Sequence, residues 1–197
     1  MAIKAAPGEK YTIRRKVLKL LGAAFHVYDA QGALVGYCKQ KAFKLKEDIR
    51  LFTDESCSKE LLVLKARQVI DFGATYDVTT PGGDAIASLR RKGMKSSFIR
   101  DEWLVFDAHG EQIAIIREKG SFAPLARRYV DYVALLFPQK FEVIRGEGTP
   151  PIATLRQHFN LFVFRMGLAI HRDDPVLDEL TLLGAACLIA AIEGRQR

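Results

Sequence analysis

The sequence predicts a mainly β protein: a closed antiparallel barrel of about twelve strands around a central hydrophobic C-terminal α-helix. Two observations carry that prediction. Five segments repeat a strand–turn–strand pattern, and one C-terminal stretch is apolar on every face yet too short to cross a bilayer. Composition agrees with both, because 197 residues that are 49% hydrophobic and 27% charged can bury a core without metals or disulfides.

The first strand is expected over residues 11–18, after a flexible tail of residues 1–10. Five apolar-x-Val/Leu segments follow: Phe25-His26-Val27, Ile49-Arg50-Leu51, Tyr76-Asp77-Val78, Trp103-Leu104-Val105 and Phe141-Glu142-Val143. Their Val/Leu anchors are 24, 27, 27 and 38 residues apart, which suits successive hairpins and is too irregular for a solenoid. Turn chemistry follows each anchor, as in Asp29-Ala30-Gln31-Gly32, Pro81-Gly82-Gly83-Asp84 and Asp107-Ala108-His109-Gly110. A second apolar run then returns. The longest interval holds Leu125, Tyr129, Val133 and Leu136 at helical spacing before Pro138, which predicts a short helix over 124–137. A last strand is expected over 161–170. So many antiparallel strands must close, since an open sheet leaves two edges that template aggregation.

The final element is a helix over about 175–193, with Asp174 as N-cap, Pro175 at the first helical position, and Arg195 and Arg197 beyond its C-terminal end. Between Leu180 and Ile192 only Thr181 is polar, so the helix requires burial all round. Thirteen residues rise about 20 Å against about 30 Å of bilayer hydrocarbon. Small residues at Gly184, Ala185, Ala186, Ala190 and Ala191 keep it thin enough to thread a barrel. Residues 11–197 are therefore read as one domain.

That combination resembles the tubby C-terminal-like superfamily, in its phospholipid scramblase and LURP-one-related branch. The resemblance rests on Tyr11-Thr12-Ile13-Arg14-Arg15-Lys16, on the Asp-x-x-Gly hairpins at Asp29 and Asp107, and on Leu183-Gly184-Ala185-Ala186-Cys187-Leu188-Ile189-Ala190. It implies a twelve-stranded barrel around a helix, in a superfamily whose members bind phosphoinositides, are assigned to lipid scrambling or have no established activity. The chain departs from the scramblases in lacking a proline-rich, cysteine-containing N-terminal extension before the barrel. Asp173, Asp174 and Asp178 lie where scramblases have a proposed calcium-binding stretch, but lack its alternation of oxygen ligands, and Asp174 is accounted for as a cap.

Net charge of +7 points to an anionic partner. The placement of the charges sharpens this. Lys39, Lys65, Arg90, Arg117 and Arg156 lie 12, 14, 12, 12 and 13 residues after the anchors, closing the returning strands. Lys41, Arg67, Arg91 with Lys92, and Lys119 double them. In an up-and-down barrel these ten form one cationic rim, a candidate site for phosphates of anionic phospholipid or phosphoinositide. Edge protection and solubility are the alternative role for each residue singly.

Other chemistries lack a signature. No GxSxG, GxxxxGK[ST], GxGxxG or HExxH occurs, no cofactor or metal motif appears, and the four histidines show no i,i+4 pairing. No nucleic-acid-binding pattern is present, and Phe25, Tyr76, Trp103 and Phe141 occupy the inward strand phase rather than a stacking platform. Cys38, Cys57 and Cys187 fit no zinc spacing and suit a reducing compartment. With no secretory signal, the reading is a cytoplasmic, non-enzymatic module, peripheral at an anionic membrane, with no transmembrane span and an unassigned protein partner. Lipid scrambling and a lipid-independent protein-interaction role are the alternatives.

Overall fold

The protein is described by a computed structural model over residues 5–16, 23–40, 48–68, 73–92, 102–119, 139–158 and 163–193. Among the described residues, twelve strands close into one antiparallel barrel around a C-terminal helix. They are β1 (Tyr11–Arg15), β2 (Ala23–Asp29), β3 (Leu34–Gln40), β4 (Asp48–Phe52), β5 (Glu60–Ala66), β6 (Thr75–Thr79), β7 (Ala85–Arg91), β8 (Glu102–Asp107), β9 (Gln112–Glu118), β10 (Lys140–Ile144), β11 (Ala153–His158) and β12 (Arg165–Ile170). Each strand pairs with its sequence neighbours, and β1 closes the ring on β12 through Tyr11 opposite Leu168 and Arg14 opposite Arg165.

The five expected hairpins are β2–β3, β4–β5, β6–β7, β8–β9 and β10–β11. Two turns show why Asp-x-x-Gly recurs. Asp29 Oδ1 accepts from the backbone N–H groups of Gln31 and Ala33 at 2.9 and 2.8 Å, and Asp107 Oδ1 accepts from those of His109 and Glu111, both at 2.9 Å. Gly32 and Gly110 then adopt φ of 88° and 87°, where a side chain is disfavoured.

The anchors point inward. Phe25, Val27, Leu51, Val78, Phe141 and their partners are buried against α1 (Glu179–Glu193), whose residues Leu182 to Ile192 pack inside the ring. The helix is thin where the barrel wall is close. A Cβ built on Gly184 would lie 3.0 Å from Leu62 Cδ1, tighter than an ordinary contact. Cys187 meets Cys38 in the core, and its thiol is pushed well up by the hydrogen bond to Cys38 and by burial.

The helix starts later than residue 175. Asp178, not Asp174, is the N-cap: its Oδ1 accepts the Thr181 N–H at 2.7 Å. Asp174 instead organises the preceding loop, accepting the N–H groups of Val176 and Leu177 at 3.0 Å and binding the Arg145 guanidinium through both oxygens. Glu179 ties the start of α1 to β1, accepting from the Tyr11 hydroxyl and from Lys10 Nζ at 2.7 Å. Proline at 175 thus begins a capped loop that leads into the helix.

The N-terminal tail is also shorter than expected, because residues 6–10 are held. Glu9 is buried, its Oε1 lies 2.7 Å from His158 Nε2, and the Lys10 N–H donates to the Leu168 carbonyl at 2.8 Å. Three expectations fall outside the described residues: Lys41, the helix over 124–137, and the basic tail at Arg195 and Arg197. Among the described residues no helix is long and apolar enough to cross a membrane.

Candidate functional site

Strand register decides where the basic residues stand. Tight turns link each hairpin at one pole, where the start of α1 also lies, and the returning strands β3, β5, β7, β9 and β11 finish at the opposite pole. Lys39, Lys65, Arg90, Arg117 and Arg156 all lie there, each within three residues of its strand's end. Their neighbours Cys38, Leu64, Leu89, Ile116 and Leu155 are buried, so strand alternation turns the five cations outward. Across the ladders Lys39 faces Arg50, Lys65 faces Asp48 and Asp77, Arg117 faces Glu102 and Glu142, and Arg156 faces Lys140.

Those carboxylates divide the candidates into two groups. Arg67 binds Asp77 at 2.6 Å, Lys92 binds Glu102 at 2.8 Å, and Lys119 binds Glu142 at 2.9 Å. Arg117 shares Glu102 at 3.2 Å and reaches Glu147 at 3.1 Å. Burial pushes the carboxyl pKa values of Glu102 and Glu142 up, but Lys92 with Arg117, and Lys119 with Lys140, outweigh it and hold both carboxyls below the usual range. Arg67 with Asp77, and Lys92 and Arg117 with Glu102 and Glu147, are locally neutral, and Glu142 offsets one of its two lysines. Lys39, Lys65 and Arg156 are exposed and have no carboxylate partner among the described residues. Arg90 also lacks one and lies over the Phe106 ring, 4.8 Å from its centroid. Arg91 differs again, because it takes the inward phase at the mouth and sits over Trp103 at 5.7 Å.

Beside Lys39 the outer wall is indented. A cavity of about 400 Å³ is lined by Lys39, Arg50, Phe52, Cys57, Ser58 and Glu60. Arg50 is occupied, donating from Nε to Asp48 at 2.9 Å and from Nη1 to Glu60 at 2.8 Å. That leaves the Lys39 ammonium for an incoming anion and the Phe52 ring for an apolar group. The cavity exists because the turn between β4 and β5 folds back along the wall. Glu55 anchors it, lying 2.6 Å from Lys16 Nζ and 2.5 Å from His26 Nε2, and these two bonds, Lys16 first, lower its carboxyl pKa. Cys57, at φ 56°, packs against a small outer cluster of Ala24, Tyr37 and Phe52. Sequence reasoning missed Arg50, Cys57 and Glu60. The available signal was that Arg50 shares the outward phase with Lys39 and lies directly opposite it.

The remaining candidate groups are engaged separately. His26 meets Glu55, His158 meets Glu9, and His171 Nε2 lies 2.8 Å from the Thr154 hydroxyl. Of the acidic stretch considered for calcium, Asp174 is bound to Arg145 and Asp178 caps α1. Among the described residues no three His, Cys, Asp or Glu side chains assemble a metal-binding group.

Comparison with known families gives a match to the LURP-one-related family over residues 9–99. That span runs from the Glu9 anchor through β7, so the resemblance drawn from the opening strand and the first hairpins holds there. Neither the curated proteins nor the solved structures give a match.

Proposed function

We propose that this barrel, LURP-one-related over residues 9–99, is a non-enzymatic module that binds anionic phospholipid or phosphoinositide head groups peripherally at a membrane surface. One observation carries the reading. The repeat delivers Lys39, Lys65, Arg90 and Arg156 to the outside of one pole without an ion-paired carboxylate among the described residues, while neighbouring cations are paired with Asp77, Glu102 and Glu142. Unpaired cations cost self-repulsion in the free protein, and phosphate relieves it. Lys39 beside Phe52 suits a phosphate that carries an apolar group.

Binding is favoured over translocation because α1 fills the barrel interior from Leu182 to Ile192, leaving no head-group path through it. The described outer wall carries Lys39, Arg50, Lys65, Asp77, Glu102 and Glu142, unlike the apolar band of a membrane-spanning barrel.

Vesicle sedimentation tests the proposal. Phosphatidylserine-containing vesicles should retain the protein at low salt and release it at high salt, and phosphatidylcholine vesicles should not retain it. Equal recovery with both lipids, or salt-insensitive binding, would contradict it and favour a protein-interaction role.

A further inference from the structure

Most hairpins of this barrel are charged at both ends, with opposite signs. Four of the five turns hold an aspartate, Asp29, Asp54, Asp84 and Asp107, whereas the five returning strands carry Lys39, Lys65, Arg90, Arg117 and Arg156 within two residues of their ends. In the fifth turn Glu147 folds back to Arg117. The approach to α1 adds Asp173, Asp178 and Glu179 to the turn pole. Bases there are largely committed: Lys10 to Glu179 and Arg145 to Asp174, leaving Lys59 and Arg172 without a carboxylate among the described residues. Turn chemistry accounts for Asp29 and Asp107, but antiparallel closure stacks the repeats in register. The barrel is therefore electrically polar along its axis.

Resting on the lipid reading above, we propose that the protein stands end-on upon an anionic bilayer. The basic pole meets the head groups, the barrel axis lies near the membrane normal, and the hairpin turns with the start of α1 face away. Length against screening decides this orientation. A seven-residue strand at about 3.3 Å per residue, tilted by 35–45°, separates the poles by about 16–19 Å. The surface field decays over about 8 Å at physiological salt. End-on, the carboxylates of Asp29, Asp84 and Asp107 stand about two screening lengths from the lipid and contribute little repulsion, and Glu55 and Glu147, which fold back along the wall, are paired with Lys16 and Arg117. Side-on, they enter the same screening length as the cations and cancel much of the attraction.

The experiment places one fluorophore at each of three heights in a Cys57→Ser background, where Cys38 and Cys187 are buried. Lys140→Cys marks the basic pole, Ile115→Cys the middle of the wall, and Ala108→Cys a turn. Phosphatidylserine/phosphatidylcholine vesicles carrying a head-group spin label should quench position 140 most, 115 less and 108 least. Quenching at 115 or 108 as strong as at 140 would overturn the orientation while leaving lipid binding intact. Absence of vesicle binding by the parent protein would overturn both. A second measurement needs no label. Asp84→Asn with Glu111→Gln should leave vesicle affinity within about twofold if the turns face away, whereas a several-fold gain would mean side-on contact.

Discussion

Glu9 is the residue on which the start of the barrel depends. Its carboxylate lies over Gly167, where an added Cβ would fall 2.0 Å from Glu9 Cδ, and it is 2.7 Å from His158 Nε2. Gly167→Ala should therefore displace Glu9 and break that contact, at a cost of about 1–3 kcal/mol for the uncovered buried groups. A lower Tm with unchanged barrel circular dichroism would be the signature, and an unchanged Tm would contradict this placement. Tyr11 and Asp174 give the protein opposite pH limits. Burial, then the hydrogen bond to Glu179, raises the Tyr11 phenol to about 12. Its folded form holds the proton more tightly than an unfolded tyrosine, so this contribution is complete below about pH 10 and disappears as pH rises toward 12. Burial pushes Asp174 up, but Arg145 and the N–H groups of Leu177 and Val176 more than offset it, leaving the carboxyl below its ordinary value. That contribution is present at neutral pH and is lost as pH falls below about 4. Asp174→Asn should lower Tm at pH 7 and flatten its acid decline, and an unaltered acid limb would assign the decline to other carboxylates.

Helix α1 tests the enclosure of an apolar element by a barrel. Gly184→Glu would place a carboxylate against Leu62 and Leu64, at a cost of several kcal/mol, and should abolish soluble folding; normal melting would contradict the packing. Cys187, fully buried and with its thiol pKa raised, should resist thiol labelling in the native state while half-exposed Cys57 reacts. The sequence made the helix legible because an apolar run with small residues has few stable settings in water. Its boundary was less legible, since Asp174-Pro175 and Asp178 are both acceptable caps and only the Arg145 contact separates their roles. The hairpins were legible for a similar reason: period-two burial and Asp-x-x-Gly turns act locally. The outer cavity was not, because it requires a turn to fold over a wall through Glu55, Lys16 and His26, residues up to 39 positions apart.

At the scale of the whole molecule, the register of a twelve-stranded ring turns a repeated charge spacing into a surface. Sequence phase was enough to place Lys39, Lys65, Arg90, Arg117 and Arg156 on one pole, but it could not show which cations close an ion pair with a carboxylate. That distinction gives the most direct test of the central claim. Replacing Lys39, Lys65, Arg90 and Arg156 together with Gln removes charges that form no ion pair with a carboxylate among the described residues. The matched control removes two complete ion pairs, Arg67→Gln with Asp77→Asn and Lys119→Gln with Glu142→Gln, leaving local charge unchanged. Both proteins should melt near the parent, because exposed pairs contribute little. Binding to phosphatidylserine vesicles should fall by about 1 kcal/mol per charge in the first variant, with a shallower salt dependence, and should barely change in the second. Equal affinities for the two variants would show that these four cations only solvate the barrel edge.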